Sequence, residues 1–313
     1  MIIYYQKPIL INKKMNTKYL YLILISIFII GCKNQASKIS GTIQKEEARQ
    51  LITDTVTLKT TAQSNVKVVE KQFKIAGLDR NRQIRVYLPP SYHTSDKKHP
   101  VLYMHDAQNL FDKYTSYSGE WEVDESLNQL AKTSDIELIV VGIDNGAERR
   151  MNELSPWKNS QFGEAEGKAY MKFIVNQIKP YIDNNYRTLA DKNNTAIIGS
   201  SMGGLISHYA IYEYPEIFNK VGIFSPSYWY SDDVFTFTKN NPIPKEARLF
   251  LLVGKKEGQG MTENTEKMHT QILSSNHPKE NIHMIIDPEG EHNEAFWKKH
   301  FTSAIEWLFT NKL

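Results

Sequence analysis

Apolar residues fall along this chain in two rhythms. Val101–Met104, Leu138–Ile143 and Leu249–Val253 are nearly continuous apolar runs. Such runs suit strands whose two faces are both covered, as in a parallel sheet. The strand pattern extends to Val101–His105 and Arg248–Gly254, and Thr195–Gly199, Val221–Phe224 and Ile282–Asp287 continue it. Val66–Ile75 and Arg82–Leu88 mix polar and apolar positions, as an antiparallel edge does. Between the buried runs the spacing turns helical. Tyr170, Phe173, Ile174, Ile178 and Tyr181 recur at i, i+3, i+4, i+8 and i+11, with Pro180 expected to kink that helix or end its first segment. Trp297, Phe301, Ala304, Ile305 and Leu308 form a second stripe. Eight strands with interleaved helices predict an α/β sandwich on one mostly parallel eight-stranded sheet.

The N-terminal region follows neither rhythm. Tyr19 to Ile30 is apolar except for Ser26, with Lys13, Lys14 and Lys18 before it and Gly31 after it. A basic start, a short apolar core and a small residue describe a secretory signal peptide. No apolar run reaches the roughly 18 residues of a spanning helix. Ile29-Ile30-Gly31-Cys32 resembles the bacterial lipobox, and the resemblance implies cleavage before Cys32 and lipid on its thiol. Met15 opens a more ordinary signal, which makes residues 1–14 the product of a misassigned start codon on this reading. Lys33 to Asn65 is polar and reads as a tether. The expected organisation is a signal peptide at 1–31, lipidated cysteine and tether at 32–65, and one folded domain at 66–313. No aspartate follows Cys32 directly, so the expected location is the bacterial cell envelope, at the outer membrane or periplasm.

Composition narrows the chemistry. Lys and Arg number 38 against 35 Asp and Glu, and the resulting +3 is too weak a balance to suggest nucleic-acid binding. Cys32 is the single cysteine, which excludes a disulfide framework and a cysteine-built zinc site. No H-E-x-x-H or similar metal-ligand spacing occurs, so no metal is expected.

Gly199-Ser200-Ser201-Met202-Gly203 fits G-x-S-x-G. The apolar Thr195–Ile198 precedes it and a helical pattern from Leu205 follows, the strand–turn–helix context of a nucleophile elbow. Ser201 then lies at a helix N-terminus, where free N–H groups favour negative charge, and the Met202 N–H is an oxyanion donor candidate. Ser200 is the off-centre alternative hydroxyl. Such an elbow needs an acid and a histidine later in the chain. His292 lies in Glu289-Gly290-Glu291-His292, after the last strand and before the last helix; His269 and His300 fall in helical patterns, and His283 begins a strand. Glu257 follows the Arg248–Gly254 strand and is the candidate acid, with Asp287 and Asp232 as alternatives. The loop after Val101–Met104 should supply the second oxyanion donor, Ala107 or next Gln108; His105 and Asp106 read as a structural clasp there.

These residues resemble the Putative esterase family of α/β hydrolases, which includes enterochelin, feruloyl and acetylxylan esterases, S-formylglutathione hydrolase and mycolyltransferases. The likeness rests on His105-Asp106-Ala107-Gln108-Asn109, Asp144-Asn145-Gly146, Gly199 to Gly204, Ser225-Pro226-Ser227-Tyr228-Trp229, Gly254 to Glu257 and Gly290-Glu291-His292. It implies the α/β-hydrolase fold, with Ser201 as nucleophile, Glu257 as acid and His292 as base. Many relatives carry Gly where Ala107 stands, and a methyl there is expected to narrow the oxyanion hole or restrict its loop. The implied activity is hydrolysis of a small-molecule or polysaccharide ester without a cofactor. The substrates would be siderophores or aromatic and acetyl esters on plant polysaccharide. Trp157, Tyr228, Trp229 and Tyr230, with Arg149 and Arg150, are the expected rim, and suit a catecholate or hydroxycinnamoyl group. Acyl transfer to an acceptor hydroxyl, or silent siderophore or glycan binding, are the competing readings.

The lipobox resemblance makes a direct prediction. Cys32→Ser should move the protein from the membrane fraction to the soluble fraction of its host, read by blotting the two fractions; unchanged membrane association would exclude anchoring at Cys32.

Overall fold

The doubly apolar runs form the centre of one sheet. The structure, a computed structural model, describes residues Thr60–Thr310, so the expected signal peptide, Cys32 and nearly all of the tether lie outside the described residues. Ten strands follow in chain order: β1 (Val66–Val68), β2 (Phe73–Ile75), β3 (Arg80–Arg82), β4 (Ile84–Tyr87), β5 (Val101–His105), β6 (Ile139–Ile143), β7 (Thr195–Ser200), β8 (Lys220–Phe224), β9 (Arg248–Gly254) and β10 (Ile282–Asp287). Eight of them build the main sheet in the order β1-β4-β6-β5-β7-β8-β9-β10. β4 runs antiparallel to both of its neighbours, and every pairing from β6 to β10 is parallel.

Alternation along each central strand divides its side chains between two cores. Val101, Tyr103, Ile197, Leu249 and Leu251 face one side, and Leu102, Met104, Ile198, Phe250 and Leu252 the other. This two-sided burial is why the runs are almost unbroken. The helices are α1 (Val123–Thr133), α2 (Arg150–Glu153), α3 (Gly167–Phe173), α4 (Lys179–Asn185), α5 (Met202–Glu213), α6 (Asp233–Asn240), α7 (Gln259–Ser274) and α8 (Glu294–Phe309). α1 and α8 cover one face, through Leu127 and Leu130 and through Trp297, Phe301, Ile305 and Leu308. The segment from α3 to α7 covers the other. Among the described residues no helix is long and apolar enough to cross a membrane.

Three expectations shift on folding. Val66–Ile75 is two strands: Glu70, Lys71 and Gln72 interrupt it. After them β2 leaves the sheet to pair with β3, burying Phe73 against Tyr181 at 4.9 Å between ring centres. Pro180 opens a second helical segment, as expected, but the helix runs on into it without a break. A π turn at Ile174–Ile178 widens the backbone ahead of it, and Pro180 falls in the first turn of α4, where a missing N–H is tolerated. Residues 60–65, assigned to the tether by their polarity, pack on the domain. Thr60 Oγ1 donates to Asp112 (2.7 Å), Gln63 N–H to Asp124 (2.7 Å) and Asn65 Nδ2 to the Leu88 carbonyl (2.7 Å).

Glycine permits the closest contact between β7 and α5. A Cβ on Gly199 would lie 2.5 Å from the Gly203 carbonyl carbon and 2.8 Å from His105 Cδ2. Gly260, in the first turn of α7, has nothing within 4 Å of its would-be Cβ. Gly199→Ala should therefore cost about 3 kcal/mol or more, because backbone cannot give way as a side chain can. Gly260→Ala should be neutral or stabilising by about 0.5–1 kcal/mol. Urea denaturation of the two variants checks the contrast.

Candidate active site

Six parallel strands end on the same edge of the sheet, and the loops that leave them converge there. Open α/β sheets place their sites at this carboxyl edge. β7 ends at Ser200, and Ser201 turns the chain sharply into α5 with φ 58° and ψ −120°. A non-glycine residue held in that region carries about 1–3 kcal/mol of strain, so neighbours must hold it there. They do so from β8: Ser201 N–H donates to the Phe224 carbonyl (2.9 Å), and Ser227 N–H donates to the Ser201 carbonyl (3.0 Å). Ser201 Oγ lies 3.2 Å from Ser227 Oγ and opens on a cavity of about 730 Å³ that His292 also lines. Met202 N–H starts α5, where the helix offers it no acceptor. Ser200 is the last residue of β7, in register with Phe224.

The loops after β9 and β10 cross at two residues without side chains, Gly254 and Gly290, and Lys256 N–H donates to the Gly290 carbonyl (3.0 Å). The crossing brings Glu257 to His292, with Glu257 Oε2 2.7 Å from His292 Nδ1. The Glu257 side chain is fully buried. Its other oxygen accepts from Gly254 N–H (2.7 Å) and from Ser225 Oγ (2.6 Å). Ser225 is held in turn by Trp297 Nε1–H at 2.8 Å. Because indole only donates, Ser225 accepts from Trp297 and gives its own proton to Glu257. The carboxylate only accepts, which assigns the His292 proton to Nδ1 and leaves Nε2 as a base. The Trp297 ring meets the imidazole edge-on, with ring centres 5.1 Å apart. No hydrogen bond joins Ser201 to His292 among the described residues; bonds between nucleophile and base commonly tighten only around substrate.

The alternative acids are occupied or remote. Asp287 accepts from Lys299 (2.6 Å) and His300 Nε2 (2.8 Å), which hold its carboxyl well below the usual range. Asp232 is exposed just before α6.

After β5 the chain makes a second strained turn at Asp106, φ 57°. Asp106 forms the expected clasp: two bonds from Arg150 (2.6 and 2.8 Å) and one from Asn145 Nδ2 (2.7 Å). Burial alone would raise this carboxyl, but Arg150 and Asn145 hold it below its ordinary value. His105 is buried against the Tyr170 hydroxyl (2.8 Å), and burial lowers it to about 4, so it is neutral. The Ala107 methyl is buried over Gly142 on β6, where a second Cβ would lie 2.8 Å from it. It therefore does not narrow the cavity as its departure from Gly suggested. Ala107 N–H and Gln108 N–H make no backbone hydrogen bond among the described residues.

The expected rim is largely rearranged. Trp229 is 50% exposed and lines a second, shallower cavity of about 390 Å³ with Glu257, Met261 and His292. Tyr228 turns into the core instead. Its hydroxyl donates to His208 Nδ1 (2.9 Å), and His208 Nε2–H donates to Thr238 Oγ1 (2.7 Å), which passes a bond to the Val234 carbonyl (2.8 Å). Burial lowers His208 to about 3, which keeps it neutral in this relay. Tyr228 thus ties its loop to α5 and does not line the cavity beside Ser201. Arg149 pairs with Glu166 outside the cavity. Tyr230 is buried, and Trp157 packs beside Tyr209 and Phe237.

Trp121, Glu148 and Glu294, not singled out from sequence, line the cavity together with Trp297, which the sequence placed only in a helical stripe; the rings of Trp121 and Trp297 are tilted, 5.7 Å apart. Position alone, two residues after His292, was the available signal for Glu294. Among the described residues Glu120, Asp124 and Glu125 form a group of three potential metal ligands, none of which lines this cavity. Burial, with Glu125 alongside, pushes Asp124 up to about 8.

Residues 75–308 match the model of a family described as Putative esterase. The Uncharacterized protein YbbA of Bacillus subtilis is 31% identical over 242 residues, which span 73% of this chain and 93% of YbbA. The enterobactin esterase FES from Shigella flexneri, solved in the presence of enterobactin, shares the fold with a TM-score of 0.65 at 18% identity, covering 80% of this chain and 60% of that one. A ferulic acid esterase aligns with a TM-score of 0.60 at 17% identity, covering 78% of this chain and 98% of its own.

The Asp106 clasp yields a test with a sign. Its carboxyl is depressed in the folded protein, so its contribution is complete above the unfolded value near ~3.9 and is lost as pH falls through the lower folded value. Asp106→Asn, which strands a largely buried guanidinium, should cost about 3 kcal/mol at pH 7 by urea denaturation. The gap from wild type should hold down to roughly pH 5 and narrow only below about pH 4.

Proposed function

Because the chain belongs to the Putative esterase family of α/β hydrolases and is a carboxylic ester hydrolase, we propose that it works through a Ser201–His292–Glu257 triad and an acyl-enzyme. The 2.7 Å contact between Glu257 and His292 Nδ1, beside the cavity that the strained Ser201 enters, carries this reading. His292 Nε2 takes the Ser201 proton as Oγ attacks the ester carbonyl. The buried Glu257 carboxylate stabilises the imidazolium that forms, and its two other donors keep it from turning away. Met202 N–H and Ala107 N–H hold the tetrahedral oxyanion, where preorganised donors lower the barrier most. His292 then gives its proton to the leaving alkoxide. Water, deprotonated by His292, releases the acid from Ser201. These steps require no cofactor.

The substrate reading, an ester of a siderophore or an aromatic or acetyl ester on plant polysaccharide, comes from the family resemblance, and structural neighbours described as an enterobactin esterase and a ferulic acid esterase support its siderophore and aromatic parts. The aromatic lining of the cavity beside Ser201, Trp121 and Trp297, suits a planar or ring-shaped group. The lipobox resemblance at Cys32 supports holding this activity at the bacterial envelope, outer membrane or periplasm, through a lipid anchor.

Ser201→Ala, His292→Ala and the double variant should show similar residual kcat on any ester that wild type cleaves, each down on the order of 10⁶-fold, because neither residue forms the acyl-enzyme alone. Multiplying losses in the double variant would refute the unit. A fluorophosphonate probe should label wild type and Ser200→Ala but not Ser201→Ala. Glu257→Gln should keep the fold and lower kcat on the order of 10⁴-fold, since an amide cannot stabilise the imidazolium. Near-normal turnover would reduce the machinery to a serine–histidine dyad.

A further inference from the structure

The cavity beside Ser201 carries an unbalanced charge. Its charged lining is Asp106, Glu148, Arg150 and Glu294. Arg150 spends its Nε and one terminal nitrogen on Asp106, so that pair is neutral as a unit. The neighbouring cations are also committed: Arg149 to Glu166, Arg82 to Glu153 and Lys298 to Glu122. Two carboxyl groups remain. Glu148 is exposed and forms no ion pair among the described residues. Glu294 is 6% exposed, one of its oxygens accepts from Asn109 Nδ2 (3.1 Å), and it has no ion-pair partner among the described residues. Burial, with a smaller contribution from Asp106 that Arg150 opposes, raises the Glu294 carboxyl above its ordinary value.

We propose that this cavity selects the uncharged, hydroxyl-bearing part of an ester and rejects an anionic one, with Glu148 and Glu294 as the residues that set the preference. The inference rests on the esterase reading above and narrows its substrate class. An anion entering here loses its hydration and meets two carboxyls outside any ion pair, while the one guanidinium on the lining, Arg150, is already paired with Asp106. A sugar-like group meets the opposite situation. Its hydroxyls find acceptors in Glu148 and Glu294 and neutral partners in Gln108, Asn109 and Asn145, and its apolar face finds Trp121. A ferric catecholate, which carries several negative charges, is the wrong electrostatic match. An ester attached to neutral polysaccharide is the right one.

Two matched substrate pairs test this, because either the acyl or the alcohol part of the ester fills the cavity. One pair is p-nitrophenyl butyrate and p-nitrophenyl hydrogen succinate. The other is the 2-hydroxyethyl and carboxymethyl esters of ferulic acid. In at least one pair, kcat/KM for the anionic member should be lower by about tenfold or more, the scale of like-charge contact in a partly desolvated site. Glu148→Lys, an exposed change that spares the fold, should narrow that ratio to roughly threefold or less through KM, and Glu294→Gln should narrow it in the same direction. Raising ionic strength should shrink the Glu148 share first, since exposed charges are screened most. Ratios near one in both pairs, or ratios that Glu148→Lys and Glu294→Gln leave unchanged, overturn the inference. Turnover surviving in Ser201→Ala would sink the nucleophile assignment instead, while the ratios still report charge preference. If wild type cleaves none of the four esters, calorimetric binding of the same four to Ser201→Ala decides: an anionic member binding as tightly as its neutral partner in both pairs overturns the proposal, and tighter neutral binding in one pair sustains it.

Discussion

One buried carboxylate ties together the carboxyl edge of the sheet. Glu257 receives the backbone N–H of Gly254 from its own loop, the Ser225 hydroxyl from the loop after β8, and the His292 imidazole from the loop after β10. A carboxylate with no solvent-exposed side-chain surface survives only if its lone pairs are filled, since an unpaired buried charge costs several kcal/mol. That requirement works in both directions. It holds the acid in place, and it holds three loops at fixed distances from one another. The bond from Trp297 to Ser225 extends the arrangement into α8, so the helix that caps one face of the sheet also helps to fix the geometry in front of Ser201.

The same edge depends on close backbone approach. Gly199 and Gly203 let β7 and α5 meet around the strained Ser201, and Gly254 and Gly290 let two loops cross. Side chains at these crossings would push apart the hydrogen bonds from Ser201 to Phe224 and from Lys256 to Gly290. Strain at Ser201, Asp106 and Ser225, all with positive φ, is thus concentrated within a few residues of the cavity. The two packed cores of the sheet supply the rigidity that sustains it.

Electrostatics divides the site into a balanced rear and an unbalanced front. Outside the cavity lining, Arg80, Arg82 and Arg149 meet Glu153 and Glu166, and on the lining itself Arg150 meets Asp106. These pairs position the loop after β6 without lending charge to the cavity. In front, Glu148 and Glu294 keep theirs. Sequence alone invites the opposite picture, because Arg149-Arg150 reads as a free basic pair and side-chain direction is not written in residue order.

What the sequence determined by itself was local. Unbroken apolar runs specified the doubly covered strands from β5 to β9, the G-x-S-x-G spacing specified the turn at Ser201, and the position of His292 between the last strand and last helix specified its edge of the sheet. Each of these depends on backbone period or turn chemistry within a few residues. Tertiary structure decided the rest. It set Glu257 rather than Asp287 against His292, because Lys299 and His300 on α8 hold Asp287 elsewhere. It turned Tyr228 inward onto His208 and Arg149 away to Glu166, and it joined Ser225 and Trp297, 72 positions apart in sequence. It also drew residues 60–65 out of the expected tether onto Asp112 and Asp124. Polar side chains reveal their roles only when donors and acceptors from distant segments are placed within about 3 Å, and that distance is fixed by packing, not by spacing along the chain.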